Sequence, residues 1–292
     1  MSEATVSDAS ATIQHVSDTA RWVALYRAME SERPDALFHD PYARRLAGER
    51  GERILASMKQ GRTWAWPMIV RTAVMDELIL RAIARDRVDT VLNLAAGLDT
   101  RPYRLPLAPS FRWVEVDFPD VIAYKQQQLA GERPVCALEQ IGADLTDAAR
   151  RRALFAQIGG TARHVLVVSE GLLIYLTGDQ VGALARDLAA RPSFAWWLID
   201  LASPGLLKMM SKTWGRAVAD NAPFQFAPPE GTRFFEPLGW REAEFRSTWE
   251  ESLRLKRTMR LAWVWSLLGR LYPKRKREEF RRFSGIVLLA RR

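Results

Sequence analysis

The sequence predicts an α/β protein, a doubly wound and mostly parallel sheet preceded by an N-terminal helical cap. Three observations carry this. Beyond Arg87, short β-rich runs alternate with helical patterns. The run V-L-V-V at 165–168, within the strand expected at Val165 to Ser169, is continuously apolar, as suits a strand covered on both faces. Before Arg87 the apolar spacing is helical over Ser17 to Ser31 and again from Pro67. No repeat or low-complexity linker interrupts the chain, which is read as one domain with residues 1–88 as cap and 89–292 as core.

Taken in order, Trp22, Leu25, Tyr26 and Met29 share one helical face over Ser17–Ser31, with Ser17 or Asp18 able to cap the first turn. Pro34 ends that helix, a polar turn with Asp40 and Pro41 follows, and Pro67 opens a long helix to about Arg87 that carries Arg71. Strands are expected at Thr90 to Ala95, Phe111 to Val116, Val165 to Ser169 and Phe194 to Ile199, with a weaker one near Val135 to Leu138. Helices at Pro119 to Ala130 and Asp179 to Ala190 alternate with them, which gives right-handed crossovers. Ser252 to Thr258 and Ser284 to Ala290 flank a basic helix-like region and are expected to pair as closing strands.

Composition narrows the function classes. Of the 292 residues, 48% are hydrophobic and 26% charged, which excludes disordered and fibrous classes and leaves room for a large core. Cys136 is the one cysteine and His15, His39 and His164 are scattered, so neither a disulfide nor a metal site is expected. Met1 to Asp18 lacks the basic start and apolar stretch of a secretory signal, so the expected compartment is the cytoplasm. Leu261 to Gly269 is far shorter than the roughly 20 residues that span a bilayer, and no integral membrane association is expected. The net charge of +9 is conspicuous at Lys274 to Arg282, but Glu278 and Glu279 interrupt the run and no aromatic ladder accompanies it, which favours a solvated surface over a nucleic-acid partner.

In open α/β sheets, ligands bind beyond the carboxyl ends of the strands. The first strand ends in Asn93-Leu94-Ala95-Ala96-Gly97-Leu98-Asp99-Thr100, where Ala95 and Gly97 allow close backbone approach. This is neither GxGxxG nor a P-loop, so dinucleotide and triphosphate readings lose ground. Asp117 ends the second strand twenty residues after Gly97, the spacing of a carboxylate that binds a ribose diol, although it could equally cap the helix at Pro119. Asp144 and Leu145 follow the third strand and suit an adenine, or a turn. Glu170 ends a buried strand and needs a partner, a ligand amine or a neighbouring arginine. Arg71 shares a helical stripe with Met75, Leu78 and Ala82, so its guanidinium points at the core and wants an anion or a salt bridge to Glu170 or Asp99.

These residues lie in a wider pattern: S-D-T-A-R-W at 17–22, R-T at 71–72, N-L-A-A-G-L-D-T-R-P-Y-R-L at 93–105, E-V-D-F-P at 115–119 and S-E-G-L-L-I-Y-L at 169–176. The pattern resembles the leucine carboxyl methyltransferase-like family of S-adenosyl-L-methionine-dependent methyltransferases, over roughly Ser17 to Leu188. The resemblance implies a Rossmann-like class I methyltransferase sheet, seven strands and mostly parallel with the last antiparallel. It also implies that Arg71 and Arg21 hold the carboxylate of S-adenosyl-L-methionine and that Asp117 takes the ribose. Asp144 and Leu145 would meet the adenine, Glu170 the methionine amino group, and the turn of Ala95 and Gly97 the amino-acid part. Ala95 stands where the family commonly has glycine.

The implied activity is O-methylation of a carboxylate or hydroxyl on a small-molecule acceptor, polyketide-like or another secondary metabolite, with S-adenosyl-L-homocysteine as product. Eukaryotic relatives instead methylate a protein C-terminus. A carboxylate acceptor is ionised at neutral pH and needs no base, whereas a hydroxyl does. Tyr175, His39 and His164 are the candidates for such a base, each also readable as a packing residue, and no catalytic residue is assigned. An acceptor pocket is expected between the N-terminal helices and Pro204 to Trp240, where Met209, Met210, Trp214, Phe224, Phe226, Phe234 and Phe235 cluster. The alternatives are a nucleic-acid methyltransferase and a binding protein without transfer. The first lacks both the N/D-P-P-aromatic motif, since the chain reads Ser169-Glu170-Gly171-Leu172, and a Pro-Cys nucleophile, since Val135 precedes Cys136.

Overall fold

A computed structural model describes residues 17–58, 61–218, 223–259, 261–269 and 272–292; His15 and the Trp214 side chain lie outside what is described. Helices come first: α1 (Ser17–Ser31), α2 (Ala43–Ser57) and α3 (Trp66–Arg85). The apolar spacing predicts α1 and α3. It does not show α2, because Gly48, at φ 59°, kinks that helix and charged residues break its period. Its buried Leu46, Ala47 and Ile54 nevertheless pack against Trp22, Leu25 and Tyr26 of α1.

The rest of the chain alternates as expected through β1 (Thr90–Leu94), α4 (Arg101–Arg104), β2 (Arg112–Asp117), α5 (Pro119–Gln128), β3 (Ala137–Gly142) and α6 (Ala148–Thr161). It continues with β4 (Val165–Ser169), α7 (Gly178–Ala189), β5 (Phe194–Ala202), α8 (Pro204–Val218), β6 (Trp240–Ser247), α9 (Thr248–Arg254), α10 (Ala262–Gly269), α11 (Lys274–Arg281) and β7 (Ser284–Arg291). The strands form one seven-stranded sheet in the order β3-β2-β1-β4-β5-β7-β6. β7 runs antiparallel to both β5 and β6, and the strands from β3 to β5 are parallel to one another. Strand order reverses between β1 and β4, so the crevice for a ligand opens there.

Alternation along the strands divides the core. Leu92, Val114 and Val167 face α6 and α7 with Phe155, Leu184 and Leu188, while Val91, Trp113, Leu166 and Val168 face α3 with Val70, Val74 and Leu78. Each such side chain contributes about 1.5–3 kcal/mol relative to an exposed position. α3 has a second apolar side, Ile69 and Ala73, turned toward α1 and α2, so this one helix ties the cap to the sheet.

Two strand expectations need correction. The partner of β7 is Trp240–Ser247 and not Ser252 to Thr258. W-R-E-A-E-F-R-S reads as a solvated loop because it forms the sheet edge, where charged side chains and a bulge between Glu242 and Glu244 blunt the exposed strand. Ser252 to Thr258 instead finishes α9 and leads to Arg257, which is buried against Glu30. β3 begins two residues beyond Val135, also at an edge, where polar Glu139 and Gln140 are tolerated. No described helix is long and apolar enough to cross a membrane.

Candidate functional site

A cavity of about 710 Å³ opens at the carboxyl ends of β1, β2, β4 and β5, and Thr19, Ala20, Trp22 and Val23 of α1 line it from the cap side. Of the site residues expected from sequence, Arg71, Ala95, Gly97, Asp117, Asp144, Leu145 and Glu170 all line it. Arg21 does not. It leaves α1 in another direction, its guanidinium lying 3.8 Å from the centre of the Tyr124 ring and donating to the Tyr124 hydroxyl. From the same helix it is Arg27 that reaches the cavity, fixed by Asp40 at 2.8 Å and the Leu98 carbonyl at 2.5 Å.

The turn after β1 is built around Asp117. Its Oδ2 accepts the Gly97 N–H at 2.6 Å and its Oδ1 accepts the Phe118 N–H at 2.7 Å, so the carboxylate ties the ends of β1 and β2 together. Burial pushes the Asp117 carboxyl above its ordinary pKa, and the two amides offset this only partly. Gly97 sits at φ 51°, and a Cβ there would come within 3.2 Å of the Ala20 Cβ, so glycine lets α1 close over the turn. Ala95 also holds a left-handed φ of 51°, which costs an L-residue about 1 kcal/mol and explains why glycine suits this position. Beneath the turn, fully buried Lys125 reaches both oxygens of Glu115 at 2.7 Å and pins α5 to β2.

An ion network forms the other wall. Glu170 accepts from Arg71 Nε at 2.9 Å and from Arg101 Nη1 at 2.8 Å. Arg71 Nη1 also donates to Asp200 at 3.1 Å, and the other oxygen of Asp200 accepts the Gly171 N–H at 2.6 Å. Arg101, 1% exposed, bonds Asp76 at 2.6 Å and Asp99 at 2.8 Å, and Arg104 shares Asp76. Burial alone would raise the Glu170 and Asp99 carboxyls, but the adjacent guanidinium charges outweigh it and hold both below the ordinary range. The salt-bridge alternative for Arg71 is thus realised with Glu170, and with Asp200 in place of Asp99.

Arg101, Asp76 and Asp200 were not singled out by the sequence. Asp200 directly follows the strand expected to end at Ile199, the same signal that exposed Glu170, and in the structure it lies within β5, which runs on to Ala202. Asp144 folds back to accept from the Thr146 N–H and hydroxyl at 2.8 Å, while Leu145 is half-buried at the rim. Of the acceptor-pocket residues, Met210 and Phe224 line the cavity. Phe226, Phe234 and Phe235 instead pack with one another in the core, and Phe235 meets Trp197 at 5.4 Å. Met209 is exposed. Tyr175 lines the cavity, and burial raises its pKa; His39 and His164 do not line it. No group of metal-ligating side chains occurs among the described residues.

The leucine carboxyl methyltransferase family matches residues 20–189. A protein of Frankia alni, named a candidate S-adenosyl-L-methionine-dependent methyltransferase, is 30% identical over 241 residues, 78% of this chain and 83% of its own length. A Parafrankia protein of the same designation is 37% identical over 183 residues, 59% of this chain and 58% of its own, so this chain covers less than two thirds of that relative. A solved structure from Thermobifida fusca, described as a candidate methyltransferase, shares the fold with a TM-score of 0.57 at 14% identity, covering 98% of this chain and 97% of that one. A DUF574 family protein of Streptomyces avermitilis gives 0.56 at 13% identity, covering 94% and 97%. With its Rossmann-like sheet and a family match running from α1 through α7, the chain belongs to the leucine carboxyl methyltransferase family of S-adenosyl-L-methionine-dependent methyltransferases.

Proposed function

We propose that this cavity binds S-adenosyl-L-methionine and that the protein transfers a methyl group to a carboxylate or hydroxyl oxygen of a small, largely apolar metabolite. The observation that carries the reading is Asp117. Each of its oxygens already accepts one backbone N–H, which fixes the carboxylate plane and leaves outward lone pairs on both oxygens for a vicinal diol. The remaining groups fit the cofactor as well. Arg71, Glu170 and Asp200 offer both signs of charge for an amino-acid end. Arg101 Nη2 and Thr72 Oγ1 belong to cavity-lining residues and are buried without a hydrogen-bond partner among the described residues. Trp22, Met68, Met210 and Phe224 supply apolar surface for an acceptor.

When bound, S-adenosyl-L-methionine supplies an electrophilic sulfonium methyl. The protein's work is then positioning: Asp117 orients the ribose, the ion network holds the amino-acid end, and α1 shields the crevice from water. A carboxylate acceptor requires nothing more. Tyr175, with its pKa raised, keeps its proton at neutral pH and serves as a hydrogen-bond donor rather than a base.

Incubation with methyl-labelled S-adenosyl-L-methionine and a panel of small carboxylates, phenols and alcohols tests the reading. Base treatment then releases label as methanol from esters and not from ethers. Binding without transfer to any member of the panel would count for a binding protein instead. A pH dependence is also expected. Because Asp117 is raised, it protonates before an ordinary aspartate would, so cofactor affinity falls on acidification beginning above about pH 4. Calorimetric titrations at stepwise lower pH check this, and constant affinity down to that point would remove Asp117 from the contact.

A further inference from the structure

At the far end of the same strands lies a shallow groove of about 500 Å³, lined by Arg85, Arg87, His164, Arg241, Arg291 and Arg292. Asp86 is the acid among its lining residues, and half-buried Trp196 is its aromatic ring. We propose that this groove is a second binding site, which takes a small polyphosphorylated anion of nucleotide size.

The groove is separate from the cavity. β5 contributes Asp200 to the cavity and Trp196 to the groove, and β7 contributes Ser284 to the one and Arg291 to the other. Arg71 and Arg85 on α3 are likewise about 21 Å apart at 1.5 Å per residue.

What distinguishes its arginines is that unpaired ones are gathered in one place, whereas elsewhere among the described residues they occur apart, as at Arg152, Arg233 and Arg277. In the most basic run of the chain, at Lys274 to Arg282, half of the cations are paired, with Arg275 on Glu279, Arg281 on Glu250 and Arg282 on Glu242. Of the groove's arginines, only Arg292 has an acidic partner among the described residues, Glu236 at 3.0 Å. The side chains of Arg85, Arg87, Arg241 and Arg291 have neither ion pair nor hydrogen bond among the described residues. The negative end of α3 accounts for cations at Arg85 and Arg87 and not for Arg241 and Arg291, which come from β6 and β7.

Arg87 adds an independent observation. It holds a left-handed φ of 56°, where glycine is the low-strain residue after a helix. A strained arginine beside three unpaired ones is the arrangement expected where charge is kept for a ligand. Guanidinium forks match phosphate oxygens in pairs, and several phosphates on one ligand relieve the repulsion among them. The size of the groove suits a small ligand, and its single ring can meet one base, whereas a nucleic-acid strand would call for a series of them.

The test is calorimetric titration of the full chain, at low salt, with tripolyphosphate, with ATP and with a short single-stranded oligonucleotide. Tripolyphosphate and ATP are both expected to bind, ATP the more tightly if Trp196 contributes. The double variant R241A/R291A should weaken both by about tenfold or more with an unchanged circular dichroism spectrum. Arg87→Gly should raise the unfolding temperature by about 1–3 °C while weakening the anion, a combination that a purely structural Arg87 would not give. No heat with either anion, or an affinity indifferent to these substitutions, overturns the proposal. An oligonucleotide bound far more tightly than ATP overturns it in favour of nucleic acid.

Discussion

Asp117→Ala should weaken binding of S-adenosyl-L-methionine by about 10²–10⁴-fold, because two charge-assisted hydrogen bonds of about 1.5–3 kcal/mol each are lost. The residue also ties the Gly97 and Phe118 amides together, so part of the loss would come through the turn. Asp117→Asn separates the two contributions. It keeps one acceptor oxygen for the backbone and removes the charge, and an intermediate affinity is expected. Calorimetry with the cofactor and with S-adenosyl-L-homocysteine provides the reading, with circular dichroism to verify folding. If both variants bind like the wild type, the diol is held elsewhere and the proposed orientation of the cofactor is wrong.

Arg101→Met should cost about 3–5 kcal/mol of stability, because it leaves Asp76, Asp99 and Glu170 without a shared cation in a buried site. Urea unfolding at neutral pH measures the loss. The pH dependence fixes its origin. Glu170 and Asp99 are held below their ordinary range, so their contribution is fully present above the unfolded carboxyl pKa of about 4 and disappears as pH falls through the depressed folded values. In the variant, burial without the Arg101 charge raises these carboxyls, so the gap between wild type and variant should begin to narrow on acidification before the unfolded value of about 4 is reached and go on narrowing below it. A variant as stable as the wild type would show that the network contributes specificity and no net stability.

The elements that the sequence revealed were those whose local pattern matched their burial. β4 is apolar at its first four positions and buried at all five, and the apolar periods of α1 and α3 match the residues they bury. α2 and β6 escaped because kink, charge and edge position disguise them. The same division runs through the site. Gly97 and Asp117 were legible because a turn and an acid at fixed spacing follow from strand-to-helix geometry. Arg21 packs on Tyr124 away from the cavity, since a short motif fixes a position on α1 and not the direction in which a long side chain leaves it.

Sequence alone determined the alternating architecture, the end of the sheet at which the crevice opens, and most of the residues around it. These follow from periodicity, turn chemistry and the twist of strands, all of them local properties of the chain. Only the tertiary structure decided which charges meet. Arg71 found Asp200 from 129 positions away and Arg101 gathered carboxylates from α3 and from the turns after β1 and β4, while four arginines of the far groove met no acid among the described residues. Ion pairing depends on distances of a few ångströms between segments remote in sequence, and those distances exist only once the sheet is assembled.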